Sequence, residues 1–176
     1  FYIFVIRGTP MMVQSLIFYY AIFNLFKRTG MSVTEINRVW SLFISGLVTV
    51  SLNSTAYLAE VLRGGILAVD AGQMEAARCI GMSHWKAMRH VILPQAVTSS
   101  VPGLLANLIF LLKETSVFST ISLMDLMFTA KDLIGMYAKT IECLTMLVAF
   151  YLVMLLPVSV LGSWLERRLR YAEFGN

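Results

Sequence analysis

The sequence predicts an all-α fold, a polytopic bundle of membrane-spanning helices, and three observations carry that prediction. Of the 176 residues, 58% are hydrophobic and only 14% are charged, whereas a soluble domain carries about 25% charge. Mean hydropathy is +0.75, so the chain lacks the side chains to cover a water-facing surface. The charges are also absent from four stretches, residues 8–26, 39–59, 91–112 and 143–165, of 19, 21, 22 and 23 residues. As helices these reach roughly 28–35 Å, against a hydrocarbon core of about 30 Å.

The elements follow in order. Residues 1–6 are wholly apolar and the first residue is Phe; they read as the tail of an earlier span, so the bundle is expected to be N-terminally truncated. Arg7-Gly8-Thr9-Pro10 punctuates a turn, and Pro10 suits the opening of a helix over 8–26. Lys27 and Arg28 mark its exit. A polar segment, residues 29–38, leads to a second span expected over 39–62. Tyr19, Tyr20 and Trp40 lie near span ends, where an interfacial belt would put them.

Residues 63–90 are polar yet helical in character. Gly64, Gly65 and Gly72 are expected to loosen the start of this loop. A short helix over 74–80 is then broken by Gly81, and Ser83 can cap a second helix running to His90. Helix, glycine turn and helix between two spans make a docking element. A third span is expected over 91–112, interrupted by Pro94 and Pro102, and such breaks are tolerated only where the freed backbone groups are satisfied. Residues 113–142 are mixed and amphipathic, with a partly re-entrant course as one reading. The last span is expected over 143–165, ending at Trp164 before the basic tail Glu166-Arg167-Arg168-Leu169-Arg170. The whole of 1–176 is read as one transmembrane domain.

Consecutive spans place 8 Lys and Arg on the side of residues 63–90 and the C-terminus, against 6 on the other side. That excess favours a cytoplasmic long loop and C-terminus, in a multi-pass protein of the cell membrane. Basic flanks of spans account for the net charge of +4, so no nucleic acid partner is called for. Cys79 and Cys143 are too few and too far apart for a disulfide framework. His84 and His90 lie on different helix faces without companion ligands, and the methionines suit apolar packing. The sequence holds neither a Gly-rich phosphate loop with Lys-Ser or Lys-Thr nor a nucleophile–base constellation. The chain is therefore expected to be no enzyme and to bind no cofactor itself.

The loop carries a more specific signal. Glu75-Ala76-Ala77, three residues, Gly81, nine residues, Val91, one residue and Leu93-Pro94 resembles the EAA loop of ABC importer permeases, with Val where that family usually has Ile. Gly72-Gln73, Val91-Ile92-Leu93-Pro94-Gln95-Ala96, Arg7-Gly8-Thr9-Pro10, Leu52-Asn53-Ser54, Ala56-Tyr57-Leu58-Ala59-Glu60 and Lys113-Glu114-Thr115-Ser116 look like its polar amino acid uptake branch, whose members take His, Glu, Gln, Arg or opines. The resemblance covers nearly the whole chain and implies a bacterial import permease with the type I importer fold.

It also implies the partners. A cytoplasmic ABC ATPase dimer would carry ATP and Mg and dock on the loop. A second permease subunit, identical or related, would complete the pathway, and an extracytoplasmic binding protein or fused domain would deliver the amino acid. By position in the motif, Glu75 is the charged contact to the ATPase. Ala76 and Ala77 keep the coupling helix narrow, Gly81 turns the chain, and Leu93 and Pro94 complete the motif.

Intramembrane polar residues are the candidates for contact with an amino acid zwitterion, since unpaired polar groups in hydrocarbon cost several kcal/mol. Asn53 and Asn107 can serve either the pathway or an interhelical hydrogen bond. Glu114, beside Lys113, can serve the pathway or pair at the interface, and Glu60 can brace the root of the loop. A cationic substrate would call for a buried carboxylate. Asn107 is neutral, and Glu114 and Asp125 are more peripheral, which favours a neutral polar cargo such as glutamine. Two other readings stay open: an ion-gradient-driven secondary transporter, against which stands the lack of an intramembrane acidic pair, and a membrane scaffold without substrate flux.

Overall fold

The computed structural model describes the backbone of residues 1–174 and the side chains of residues 1–168; Arg170, at the end of the expected basic tail, has its side chain outside the described residues. Every regular element among them is helical. Three stretches, Val33–Leu67, His84–Ile121 and Thr140–Arg168, are long and apolar enough to cross a membrane. A fourth crossing follows if Tyr2–Gly8 and Met11–Arg28, bent by 105° at their junction, count as one span. The chain forms two compact units, one of Phe1–Ala56 with Phe110–Leu156, the other of Tyr57–Ile109 with the residues from Pro157 onward. All three boundaries, at 56/57, 109/110 and 156/157, fall inside helices rather than in linkers.

In the first unit, helix α1 (Tyr2–Gly8) stops at Thr9, and Pro10 with φ −62° precedes helix α2 (Met11–Leu16). A missing N–H costs nothing at a helix start. Helix α2 passes through a π turn, Ile17–Ala21, into α3 (Ile22–Arg28). The Phe18 carbonyl in that turn accepts the Trp40 indole N–H at 3.2 Å, so Trp40 is tied to the bundle as well as sitting near a span end. Helix α4 (Val33–Val39) opens with a capping box, in which Ser32 and Glu35 satisfy each other's backbone N–H groups.

Helix α5 (Leu42–Leu67) follows. Ser45, Thr49, Asn53 and Ala56 recur at helical spacing and are all buried, a face of small and polar residues. Nearby, Met11, Phe118 and Ile121 form an apolar core joined by Leu16, Tyr19, Leu42, Val50 and Leu123. Phe118 and Ile121 belong to a 3-10 turn, Thr115–Ile121. Asp125 then caps helix α9 (Leu126–Tyr137), and helix α10 starts at Thr140.

In the second unit, α5 continues to Leu67, past the end expected near residue 62. The reason lies in Gly65, expected to loosen a loop. A Cβ there would lie 1.9 Å from Ser100 Oγ and 2.6 Å from the Ala96 carbonyl oxygen. This glycine is a point of close helix approach, so packing holds the segment helical despite glycine's low propensity.

The expected interruption by proline is likewise absent. Helix α7 (His84–Ala87), a π turn at Met88–Ile92 and helix α8 (Leu93–Glu114) form one continuous rod. The Leu93 N–H bonds the Met88 carbonyl, so the ladder has already shifted register where Pro94 lacks its donor. Before Pro102, the hydroxyls of Thr98, Ser99 and Ser100 donate to the carbonyls of Pro94, Gln95 and Ala96. These bonds satisfy the three hydroxyls within their own helix, and helix α8 runs through Pro102 unbroken. Helix α10 also runs on, from Thr140 to Phe174 with Pro157 inside it, so Trp164 does not end it.

Gly65→Ala is expected to lower the thermal unfolding midpoint in detergent, with an overpacking cost of about 1–3 kcal/mol. Gly64→Ala, whose Cβ would meet nothing within 4 Å, is expected to raise it slightly, by the helix-propensity gain of about 0.5–1 kcal/mol. Equal midpoints for the two variants would contradict the close approach.

Candidate functional site

Residues 63–90 fold as a helical hairpin whose every end is capped. Asp70 Oδ1 accepts the Gly72 N–H at 2.7 Å and opens helix α6 (Ala71–Cys79). At the other end the Gly81 N–H bonds the Arg78 carbonyl at 3.0 Å and the Met82 N–H bonds the Ala77 carbonyl at 3.1 Å. This Schellman pattern requires a left-handed residue, and Gly81 has φ +85°. The space around Gly81 is open, so glycine is needed for its backbone angle alone. Ser83 Oγ then accepts the Lys86 N–H and starts α7.

Ala77 and Ala87 are buried, and α6 packs on α7 and on the π turn that follows. Their small side chains let the two arms close on each other. Glu75, Ala76 and Gly81 are exposed. Leu93 and Pro94 lie apart from the tip, at the start of α8, where both are exposed. The six motif residues therefore divide: Ala77 is spent on holding the hairpin together, while Glu75 and Ala76 remain available to a partner. Sequence reasoning missed Ile80 and Trp85, which are 76% and 74% exposed. The available signal was two large apolar residues flanking Gly81 in an otherwise polar segment.

Among the intramembrane polar candidates, Asn53 is brought into a cluster with residues around the break after α1. Its Nδ2 donates to Gln14 Oε1 at 3.2 Å. Gln14 Nε2 reaches the Ile6 carbonyl at 2.7 Å, the Thr9 carbonyl at 3.0 Å and Thr9 Oγ1 at 2.8 Å. The Tyr2 hydroxyl donates to the neighbouring Leu52 carbonyl. Gln14 is 5% exposed and satisfies carbonyls that the break leaves without helical donors. It too was missed; the signal was an amide side chain one turn after Pro10 in a charge-free stretch. Asn53 Oδ1 is buried and takes no hydrogen bond within the described residues.

Asn107 is not part of that cluster. It is buried in the second unit, on α8, and its Oδ1 likewise has no partner among the described residues. Glu114 is half-buried at the end of α8, whereas Lys113 is exposed. Asp125 spends one carboxylate oxygen on the Phe128 N–H at 2.6 Å. Glu60 meets Arg63 at 3.7 Å near the end of α5, a partly exposed pair of the kind worth little in stability.

Residues 1–171 match the family described as "Binding-protein-dependent transport system inner membrane component". The octopine transport system permease protein of Rhizobium radiobacter is 36% identical, over 94% of this chain and 67% of its own length. The glutamine transport system permease protein of Escherichia coli is 33% identical, over 94% and 72%. The arginine transport system permease protein of Bacillus subtilis is 35% identical, over 97% and 73%. Among solved structures, an amino acid ABC transporter crystallised with histidines superposes with a TM-score of 0.81 and 41% identity, covering 95% of this chain and 73% of that one.

The Gln14–Asn53 bond is testable by a double-mutant cycle on unfolding in detergent. Gln14→Ala and Asn53→Ala are expected to couple by about 0.6–2 kcal/mol. Gln14→Ala alone is expected to cost more, because it strips donors from Ile6 and Thr9. Additive effects of the two substitutions would dismiss the bond.

Proposed function

The chain belongs to the family of binding-protein-dependent transport system inner membrane components, and from that membership we propose that it is the permease subunit of an ATP-driven importer of a polar amino acid. The observation that carries the coupling half of this reading is the hairpin of residues 63–90. A transporter driven by a separate ATPase must pass the closure of that ATPase into the membrane as displacement. A floppy loop would absorb the motion. A hairpin capped at Asp70, Gly81 and Ser83, and packed through Ala77 and Ala87, moves as a body.

In this reading Glu75 offers its exposed carboxylate to a basic residue of a cytoplasmic ATPase dimer. Ala76 leaves α6 slim enough to enter a cleft, Ala77 seats α6 on its own second arm, and Gly81 turns the chain. Leu93 and Pro94 begin helix α8, the part of the rod that carries displacement toward the pathway. ATP and Mg belong to the ATPase. The hairpin and the C-terminus are cytoplasmic, and a second permease subunit, identical or related, completes the route. A binding protein or fused domain delivers cargo from outside. Binding of ATP draws the hairpins together and opens the route outward; hydrolysis resets it.

Along the route, Asn53, Asn107 and Glu114 are the proposed polar contacts. Two of them support this directly, since Asn53 Oδ1 and Asn107 Oδ1 are buried acceptors with unused capacity, and a buried acceptor left unmade costs free energy. The named cargoes of the relatives span opine, glutamine and arginine. The neutral Asn107, with Glu114 only half-buried, favours a neutral polar amino acid such as glutamine.

The full-length protein, reconstituted in proteoliposomes with its ATPase and binding protein, is expected to raise ATP hydrolysis when one or a few amino acids are added. A flat response to all of them from an assembled complex would sink the amino acid reading. Uptake that persists without nucleotide under an ion gradient would favour a secondary transporter instead. Glu75→Arg is expected to abolish uptake and the stimulated hydrolysis while membrane insertion stays normal. Undiminished uptake by that variant would reject the docking contact.

A further inference from the structure

Most exposed apolar side chains of this protein lie on helices that lipid can cover. Helix α10 is the extreme case: within Thr140–Arg168 the most apolar 18 residues have a mean hydropathy of 2.4, and none of them is buried within the chain. Ile80 and Trp85 differ. They flank Gly81 in the polar hairpin, 76% and 74% exposed. Trp85 precedes the charge-free stretch that starts at Val91 by six residues, with Lys86, Arg89 and His90 between. Along a helix that is about 9 Å, beyond the roughly 5–7 Å that a headgroup layer adds to each side of the hydrocarbon. Lipid therefore does not cover this indole when the rod stands upright in the bilayer, and Ile80 lies on the far side of the glycine turn.

An exposed tryptophan on a rigid support is the residue type that most often dominates a protein interface. Its support here is stiff, because Ala87 in the same short helix is fully buried and Ser83 caps the turn before it. The surrounding charges are not neutral either. Arg63, Arg78, Lys86 and Arg89 are exposed cations, against two exposed acids, Asp70 and Glu75. Exposed apolar side chains on a hairpin with a basic excess fit a partner that offers an apolar pocket and acidic surroundings.

We propose that Trp85, assisted by Ile80, is the apolar anchor that holds the ATPase on the hairpin, seated in an apolar pocket of the ATPase whose rim is acidic. This rests on the docking role given above to residues 63–90. It separates two duties within one hairpin. Glu75 transmits and orders the contact through charge, whereas Trp85 and Ile80 supply its hold.

The test uses the full-length permease in lipid nanodiscs, titrated with its purified ATPase, in a background where Trp40 and Trp164 are replaced by Phe so that Trp85 reports alone. Trp85→Ala is expected to weaken ATPase binding about 30-fold, as hot-spot truncations do, with the thermal midpoint of the permease unchanged. Trp85→Phe is expected to retain most of the affinity. The Trp85 emission of the reporter protein shifts to the blue when ATPase is added, and brominated lipid does not quench it. Unchanged affinity of Trp85→Ala overturns the anchor; if Glu75→Arg still abolishes binding, the docking role of the hairpin stands without it. Quenching by brominated lipid that ATPase does not relieve makes Trp85 a membrane-interface residue and also overturns the anchor. A permease that binds no ATPase at all removes the docking role and the anchor together.

Discussion

The structure depends on one constraint: inside hydrocarbon, a backbone N–H or C=O has no water to fall back on and must find its partner in the protein. Helices meet it automatically, which is why the regular elements are helical. The informative places are those where the helix is disturbed. Pro94 is accommodated by a register shift one residue earlier, with the Leu93 N–H taken by the Met88 carbonyl. The π turn near Phe18 hands a carbonyl to the Trp40 indole. The break at Thr9-Pro10 is the most severe, and there a buried glutamine reaches back to the carbonyls of Ile6 and Thr9. In each case a side chain or a neighbouring turn supplies what the helix ladder cannot.

That logic also sorts the polar residues. A hydroxyl on a membrane helix can satisfy itself by donating to the carbonyl four residues back, as Thr49, Thr98, Ser99 and Ser100 do. Asparagine has both a donor pair and an acceptor, and its own helix cannot easily use both. Asn53 places its amide on Gln14 and leaves Oδ1 over, and Asn107 leaves Oδ1 over as well. Residual acceptors of this kind keep hydrogen-bonding capacity that the described residues do not use. The hydroxyls of Thr49, Thr98, Ser99 and Ser100, by comparison, are spent on their own helices, and Ser45 Oγ is the buried hydroxyl left over among the described residues.

Legibility followed the range of the interaction. The charge-free stretches were readable because hydropathy is a property of composition. The caps at Ser83 and Gly81 were readable because capping is decided within three or four residues. The helix of residues 63–67 was not, because Gly65 reads locally as a breaker and only the approach of Ala96 and Ser100 explains it. Pro94 and Pro102 read as interruptions for the same reason, since the π turn that absorbs Pro94 leaves no mark in hydropathy. Gln14 was overlooked because its partners are carbonyls, which carry no residue identity. For the hairpin, Gly81 and Ser83 marked the helix–turn–helix that forms. Burial then divided its residues: Ala77 faces inward, Glu75 and Ala76 face outward, and Trp85 has a prominence that no motif assigned.

The two kinds of exposed apolar surface follow from the same solvent argument. On α10, bare leucines, valines and phenylalanine cost nothing in lipid, because hydrocarbon is as apolar as the side chains themselves. With the hairpin in water, as proposed, the same exposure at Ile80 and Trp85 carries a transfer cost of about 25 cal/mol per Å². Folding did not relieve it, although α6 and α7 already pack through Ala77 and Ala87. Had either alanine been larger, the arms would stand further apart and the hairpin would lose its fixed shape. Small residues inside and large ones outside invert the usual order for a water-facing element. The inversion makes sense when rigidity must come from within the hairpin and the larger apolar area is reserved for a second protein.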